Sequence, residues 1–377
     1  MSYLKTINIQ HLTSGTNNIV LDANGNMTCA GTVSAGSSMG MRNRIINGDM
    51  GIDQRNNGAS VTPNNNYTLD RWFVLNSQTS KLTVQQSSTA PTGFTNSAAI
   101  TSSSTYSVVS GDYFTFSQRV EGLNITDLAW GSSNARTITL SFWVRSSLTG
   151  TFGGAIRNSA ANRSYPFTYT INTANTWEYE TITIPGDTTG TWLTTNGIGI
   201  ELNFALGAGS TYSGTAGVWA AGGAISATGA TSLVGTNGAT FFITGVQLEV
   251  GTIATPFERI LYSTELALCQ RYYQTWGGTG SYEHLCVGFT TSTVTGEFCL
   301  PYLVTMRSAP VLSLSSAAHW NVTDSSAAVN CSGITIDQTG LNSTRVVPTF
   351  SGLTANRPAM IRATATTAAR FNLSAEL

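Results

Sequence analysis

Strict two-residue alternation, repeated in segment after segment, constrains this chain more than any other feature. In Thr137-Ile-Thr-Leu-Ser-Phe-Trp-Val-Arg145, Ile138, Leu140, Phe142 and Val144 fall on one side of an extended strand. Thr139, Ser141, Trp143 and Arg145 fall on the other. Residues 197–206 repeat the pattern, with Ile198, Ile200, Leu202 and Phe204 inward and Glu201 and Asn203 outward. Residues 113–120, 177–185 and 240–249 supply three more such runs. Half-polar strands with turns between them imply antiparallel sheets, each with one buried face. Two such sheets face to face make a β-sandwich, so the expected class is all-β with jelly-roll topology.

The segment Gly245-Val-Gln-Leu-Glu-Val-Gly-Thr-Ile-Ala-Thr-Pro-Phe-Glu-Arg259 ends that pattern. It reads as the last sandwich strand and a Pro-terminated exit. Residues 263–274 then form the one convincing helix, with Ser263 or Thr264 as cap and Glu265 in the first turn. Beyond it, strand-like runs near Leu285, Phe298, Val311 and Phe371 predict a smaller C-terminal β-domain. The expected organisation is residues 1–40 as an N-terminal segment, 41–260 as the jelly-roll sandwich and 261–377 as the C-terminal domain opened by the short helix. The N-terminal segment holds short alternating runs near Ile7, Ile19 and Met27, an Asn-Gly turn at Asn24-Gly25 and a Ser/Gly-rich linker from Thr32 to Gly40. Residues 207–238 form a Gly/Ala/Ser/Thr-rich insertion, too poor in large apolar residues to be core.

Composition narrows the function. Lys+Arg 18 against Asp+Glu 19 leaves net charge −1, which argues against a nucleic-acid binder. Charged residues make up 10% of the chain, against about 25% in an ordinary domain, and Ser, Thr, Asn and Gly take their place. Such neutral, Thr-rich surfaces suit extracellular fibres and lectin-like modules. No run approaches membrane-spanning length, so no membrane insertion is expected. The first residues lack the apolar stretch of a signal peptide. The cysteines, 5 and scattered, point to buried thiols rather than a disulfide framework or zinc site, which fits assembly in a reducing cytoplasm.

Catalytic signatures are absent. His11, His284 and His319 lie beside no evident nucleophile. Glu178 and Glu180 share one side of a strand, where a solvated face is the simpler account than a glycosidase pair. Three binding constellations remain. Asn47, Asp49 and Glu249 sit at the two ends of the sandwich and could supply hard oxygen ligands to a structural Ca²⁺. Trp143 and Arg145, if their strand neighbours that of Glu201 and Asn203, would give an aromatic platform ringed by hydrogen-bonding groups. That face suits either a subunit interface or a sugar. Trp276, Tyr282 and Trp320, near His319, could form a receptor-facing tip or the core of a small domain.

Four segments also resemble virion-surface fibres of bacteriophages. They are Met41-Arg-Asn-Arg-Ile-Ile-Asn-Gly-Asp-Met50 with Ile52-Asp-Gln-Arg55, Tyr67-Thr-Leu-Asp-Arg-Trp72, the 245–274 junction, and Asn372-Leu-Ser-Ala-Glu-Leu377. The resemblance implies a non-enzymatic structural protein, usually a homotrimer, on the virion surface as a tail, neck or head fibre. Residues 1–40 would attach to other virion proteins, and the rest would reach a host glycan or receptor. It carries no catalytic motif to transfer. The rival expectations are a tailspike-type polysaccharide depolymerase and a carbohydrate-binding module.

Overall fold

The computed structural model describes residues 41–377, together with the backbone of Asn8–Ile9, Ile19–Leu21 and Met27–Cys29. Those three short strands pair as an antiparallel sheet in sequence order. The predicted Asn-Gly turn and the 32–40 linker lie outside the described residues. From Asn43 to Leu377 the chain is one compact unit containing two separate hydrophobic cores.

The first core lies between two antiparallel sheets. The seven-stranded sheet runs in the order Ala220–Ala221, Arg163–Ile171, Gly150–Arg157, Ile198–Ala208, Tyr113–Glu121, Trp72–Asn76, Asn66–Leu69. The five-stranded sheet runs Glu178–Ile184, Ile138–Ser146, Thr240–Val250, Ser97–Ser102, Leu82–Ser87. The chain crosses between the two sheets repeatedly, with three hairpins that stay in one sheet (Asn66–Leu69 with Trp72–Asn76, Leu82–Ser87 with Ser97–Ser102, Gly150–Arg157 with Arg163–Ile171), in a jelly-roll sandwich. The alternation explains the layers: Ile138, Leu140, Phe142 and Val144 are fully buried from one sheet, and Ile200, Leu202 and Phe204 from the other. Phe142 meets Phe204 edge-on across the interior, ring centres 5.0 Å apart. Trp72 stacks on Phe116 at 4.7 Å within the seven-stranded sheet. Buried aromatic area of this kind dominates the stability of such a core.

Two expectations need correction here. The 207–238 insertion is partly core, because it returns Ile225, Ala227, Leu233 and Val234 to the interior and folds Trp219 against Trp130 and Trp192. Four well-placed apolar residues outweigh a Gly-rich average. The helix is Tyr262–Gln270, shorter than predicted, and neither Ser263 nor Thr264 caps it by a side-chain bond. It stops because Tyr273–Trp276 leaves to pair antiparallel with Phe371–Ser374. Tertiary strand pairing here overrides the helical spacing.

The second core belongs to the C-terminal portion. Tyr273–Trp276, Phe371–Ser374 and Val311–Leu314 form one small antiparallel sheet. A seven-stranded antiparallel sheet, which includes His284–Thr290, Gly296–Pro301 and Pro358–Ala363, forms the other. Phe298, Val346, Ile361, Phe371 and Trp320 are its buried centre. Cys286 points inward, whereas Cys299, expected to be a buried thiol, is exposed. The predicted strands near Leu285, Phe298, Val311 and Phe371 are all present.

Candidate functional site

The outer surface of the five-stranded sheet carries a row of aromatic residues that the core does not consume. Trp143 lies directly across from Tyr179 on one neighbour and Thr244 on the other. Arg145 lies across from Phe242, which lies across from Ala99. The side chains follow the register: Trp143 and Tyr179 have ring centres 5.3 Å apart, and the Arg145 guanidinium sits 5.0 Å from the centre of the Phe242 ring. Trp177 meets Phe242 at 6.3 Å. Tyr179 is 43% exposed, and Trp143, Trp177 and Phe242 are half-buried.

A bulge extends this row beyond Trp143. Register shifts between Thr244 and Gln247 where Gly245 adopts φ 62°, a conformation glycine takes without steric cost. The missing side chain leaves room for the Phe94 ring, which lies over Gly245 beside Trp143. Phe94 in turn meets Phe257 edge-on at 5.3 Å, and the Arg259 guanidinium lies 4.6 Å over Phe94. The result is a broad strip of rings with an arginine on Phe242 and another on Phe94. Sugar C–H faces stack on such rings while hydroxyls bond to neighbouring polar groups. Flat aromatic surfaces do this with little rotamer entropy lost.

Trp143 and Arg145 therefore belong to an open face, but their expected partners do not. Glu201 and Asn203 stand on the opposite sheet, so the strands are not neighbours. Both are buried: Glu201 is clamped by Arg157 at 2.6 Å and Arg119 at 3.2 Å, and Asn203 accepts from the Ser117 hydroxyl. Sequence alternation gave the correct side of each strand without saying which strands pair. Tyr179, Phe242, Phe94 and Phe257 were missed for the same reason. Tyr179 and Phe242 do show the outward phase of their own runs, but Phe94 and Phe257 sit in connections.

The C-terminal trio does not form a tip. Trp320 is fully buried against Phe371, and Trp276 is half-buried against the same ring. Tyr282 alone is exposed, beneath the Arg362 guanidinium. His319 pairs with the Ser315 hydroxyl at 2.9 Å with no carboxylate joining them in the hydrogen bonds and ion pairs seen.

The calcium set does not fit an ion. The Asn47 side-chain oxygen accepts the Ile52 amide, and its nitrogen donates to the carbonyls of Ile52 and Asp70. Glu249 accepts from the Thr255 amide and hydroxyl and from Gln247. Asp49 accepts the Gly51 amide. These oxygens face N–H and O–H donors, which is the arrangement a cation would replace. Among the described residues no group of three or more His, Cys, Asp or Glu side chains could hold a metal. Glu178 is likewise committed, accepting the amides of Asn172 and Thr173. Burial raises its pKa, but those bonds outweigh burial and hold it below the usual range. Glu180 is shifted the other way, by burial and then by Glu178.

Asn47 belongs to a second, closed site. The segments that carry the fibre resemblance meet there, at the joint between the sandwich and the C-terminal portion. The Trp72 indole donates to the Asn47 carbonyl, and Gln54 bonds both the Asp70 carboxylate and the Tyr273 carbonyl. Glu376 bridges Arg55, at 2.7 Å, and Arg71. Arg71 lies 3.5 Å over Tyr272 and Arg55 3.8 Å over Tyr273. Arg271 and Tyr272 both reach Glu121. Burial pushes Asp70 up to about 6, against the opposing pull of Arg55 and Gln54. Glu265, which accepts the Asn47 amide, is raised to about 7 by burial first, with Asp49 and Glu258 adding to it.

No family model matches the chain, and no curated protein matches it. Among solved structures, the enzymatically active domain of bacteriophage CBA120 tailspike protein 4 aligns over 56% of this chain and 22% of that one, at 16% identity and TM-score 0.32. A family 11 carbohydrate-binding module from Clostridium thermocellum, solved with a β-1,3-1,4-mixed-linked tetrasaccharide, aligns over 52% of this chain and 98% of that one, at 12% identity and TM-score 0.26. TmCBM61, solved with β-1,4-galactotriose, aligns over 56% and 99%, at 12% identity and TM-score 0.28. Likeness at these TM-scores carries no argument about ligand or activity.

Proposed function

We propose that this protein is a non-catalytic fibre of a bacteriophage virion surface that binds glycan on the outer face of its five-stranded sheet. The observation that carries the binding half is the strip of exposed Tyr179 and half-buried Trp143 and Phe94, continued by Trp177 and Phe242, on the outer face of the sandwich. The fibre half rests on the resemblance of residues 41–55, 67–72, 245–274 and 372–377, now seen to build one ionic joint. A joint of this kind holds the C-terminal portion at a fixed angle to the sandwich, as a load-transmitting surface protein requires. Three copies on one stalk would raise avidity without any new contact. Residues 1–40 provide the attachment to other virion proteins, and the protein assembles in the host cytoplasm.

Purified protein is passed over a glycan panel beside its Trp143→Ala variant, and the same samples are assayed for new reducing ends. Retention of wild type, loss in the variant and no released ends is the expected result. New reducing ends would favour the depolymerase instead. Removal of residues 1–40 should leave a folded oligomer that no longer incorporates into particles. Incorporation of that truncated protein would refute the attachment role, and a monomer in a mass measurement would refute the homotrimer.

A further inference from the structure

The arginines on the strip differ from most of those in the sandwich. Arg44, Arg55, Arg71, Arg119, Arg157 and Arg163 each make an ion pair with an acidic side chain. Among the described residues Arg145 and Arg259 make none. Each lies over an aromatic ring and makes one bond to a main-chain carbonyl, Arg145 to Asn175 at 2.8 Å and Arg259 to Gly93. A guanidinium presents five N–H donors around its edge. Stacking uses its face and the carbonyl uses part of the edge, so most of each fork remains unfilled and held in place.

Negative charge is missing where it would be expected. The outward positions around Trp143 and Arg145 are Tyr179, Thr181, Thr183, Thr244, Ala99 and Gln85. Glu249, further along the central strand, is spent on Thr255 and Gln247. Arg259 borders a cleft lined also by Asp49, Glu258 and Glu265, yet pairs with none of them, because the Phe94 and Phe257 rings hold it toward the strip. In a chain of net charge −1, this face holds two cations that have no ion-pair partner among the described residues, beside half-exposed rings.

We infer that the ligand of this face is an acidic polysaccharide, with its sugar rings on Trp143 and Tyr179 and its carboxylates held by Arg145 and by Arg259, which Phe94 positions. This rests on the glycan-binding reading above and adds the ligand's charge class. Planar carboxylate and guanidinium match edge to edge, which a neutral sugar cannot exploit.

The test uses the full-length protein in calorimetry or affinity electrophoresis. The probes are polygalacturonate, alginate and hyaluronan, each paired with the same polymer after its carboxyls are reduced to alcohols. At least one acidic polymer should bind about tenfold or more tighter than its reduced form, as one charge-assisted bond predicts. Added salt should narrow the gap. Arg145→Gln and Arg259→Gln should each shrink that ratio, while Arg357→Gln on the C-terminal portion should not. Equal binding of acidic and reduced polymers overturns the inference and leaves the glycan reading standing. An acidic preference that survives the Arg145→Gln/Arg259→Gln double variant also overturns it. Failure of every polymer, acidic and reduced, to bind overturns both.

Discussion

The ionic joint and the aromatic strip are built from the same parts and end in opposite states. In the joint, Arg71 and Arg55 lie over Tyr272 and Tyr273, and Glu376 pairs with both guanidinium groups. On the strip, Arg145 and Arg259 lie over Phe242 and Phe94, and no carboxylate of the described residues pairs with them. Stacking positions the cation in both places. The carboxylate decides whether that position is a closed structural contact or an open one. The difference has an energetic side: a buried, filled pair is costly to break, whereas an exposed, unfilled one costs the fold little to lose.

The largest effect is therefore expected in the joint. Glu376→Ala would leave Arg71, 1% exposed at its side chain, buried without its counter-charge, and should lower stability by about 3–5 kcal/mol in urea unfolding. Glycan affinity of the molecules that remain folded should hold. A change under about 1 kcal/mol would mean that the joint is not what ties the two cores together. Trp143→Ala should do the reverse, weakening glycan binding by about thirtyfold or more, as for a central aromatic anchor. Its unfolding midpoint should move little, because Trp143 is half-buried on an outer face. Equal losses of stability and affinity in either variant would erase the distinction between the two regions.

The sequence shows why one region was easier to foresee than the other. Alternation exposed the sandwich, because Ile138 to Val144 and Ile198 to Phe204 can hide one side only by facing another sheet. It put Trp143 and Arg145 on the outward side correctly. It could not pair strands 138–146 and 198–208, which look alike along the chain yet lie in different sheets. Glu201 looked like a free surface acid because Arg119 and Arg157, distant in sequence, are what cover it. The joint was legible only as a set of recurring words. Nothing local in Asn47-Gly-Asp49 says that its asparagine ties Ile52 to Asp70 rather than holding a cation. Trp320 follows a short turn and looked exposed, but its strand faces the second core.

Glu265 sharpens the comparison through pH. Its pKa in the folded protein is raised to about 7, mainly by burial, from an ordinary 4.5. The folded state thus holds its proton more tightly than the unfolded chain does. That contribution is fully present below the ordinary value and is lost as pH rises through about 7. Thermal unfolding should accordingly occur at lower temperature at pH 8 than at pH 5. Glu265→Gln, which keeps the shape and cannot ionise, should flatten that slope by a few degrees. An unchanged slope would show that the Glu265 carboxyl does not set the pH dependence of stability.

The smallest expected effect links the regions instead of separating them. Gly245 sits at the bulge with φ 62°, and an added Cβ would come within 2.7 Å of the Phe94 ring and 3.2 Å of Trp143. Gly245→Ala must accept a left-handed backbone at about 1 kcal/mol and must also push Phe94 aside. Phe94 is a side chain in a connection and can swing away, so the fold should survive with a modest loss in urea unfolding. Swinging away breaks the row between Trp143 and Arg259, so affinity for the best-binding glycan should fall several-fold in the same protein. Lower stability with undiminished affinity would place Phe94 outside the binding strip and confine that strip to Trp143, Tyr179, Trp177 and Phe242.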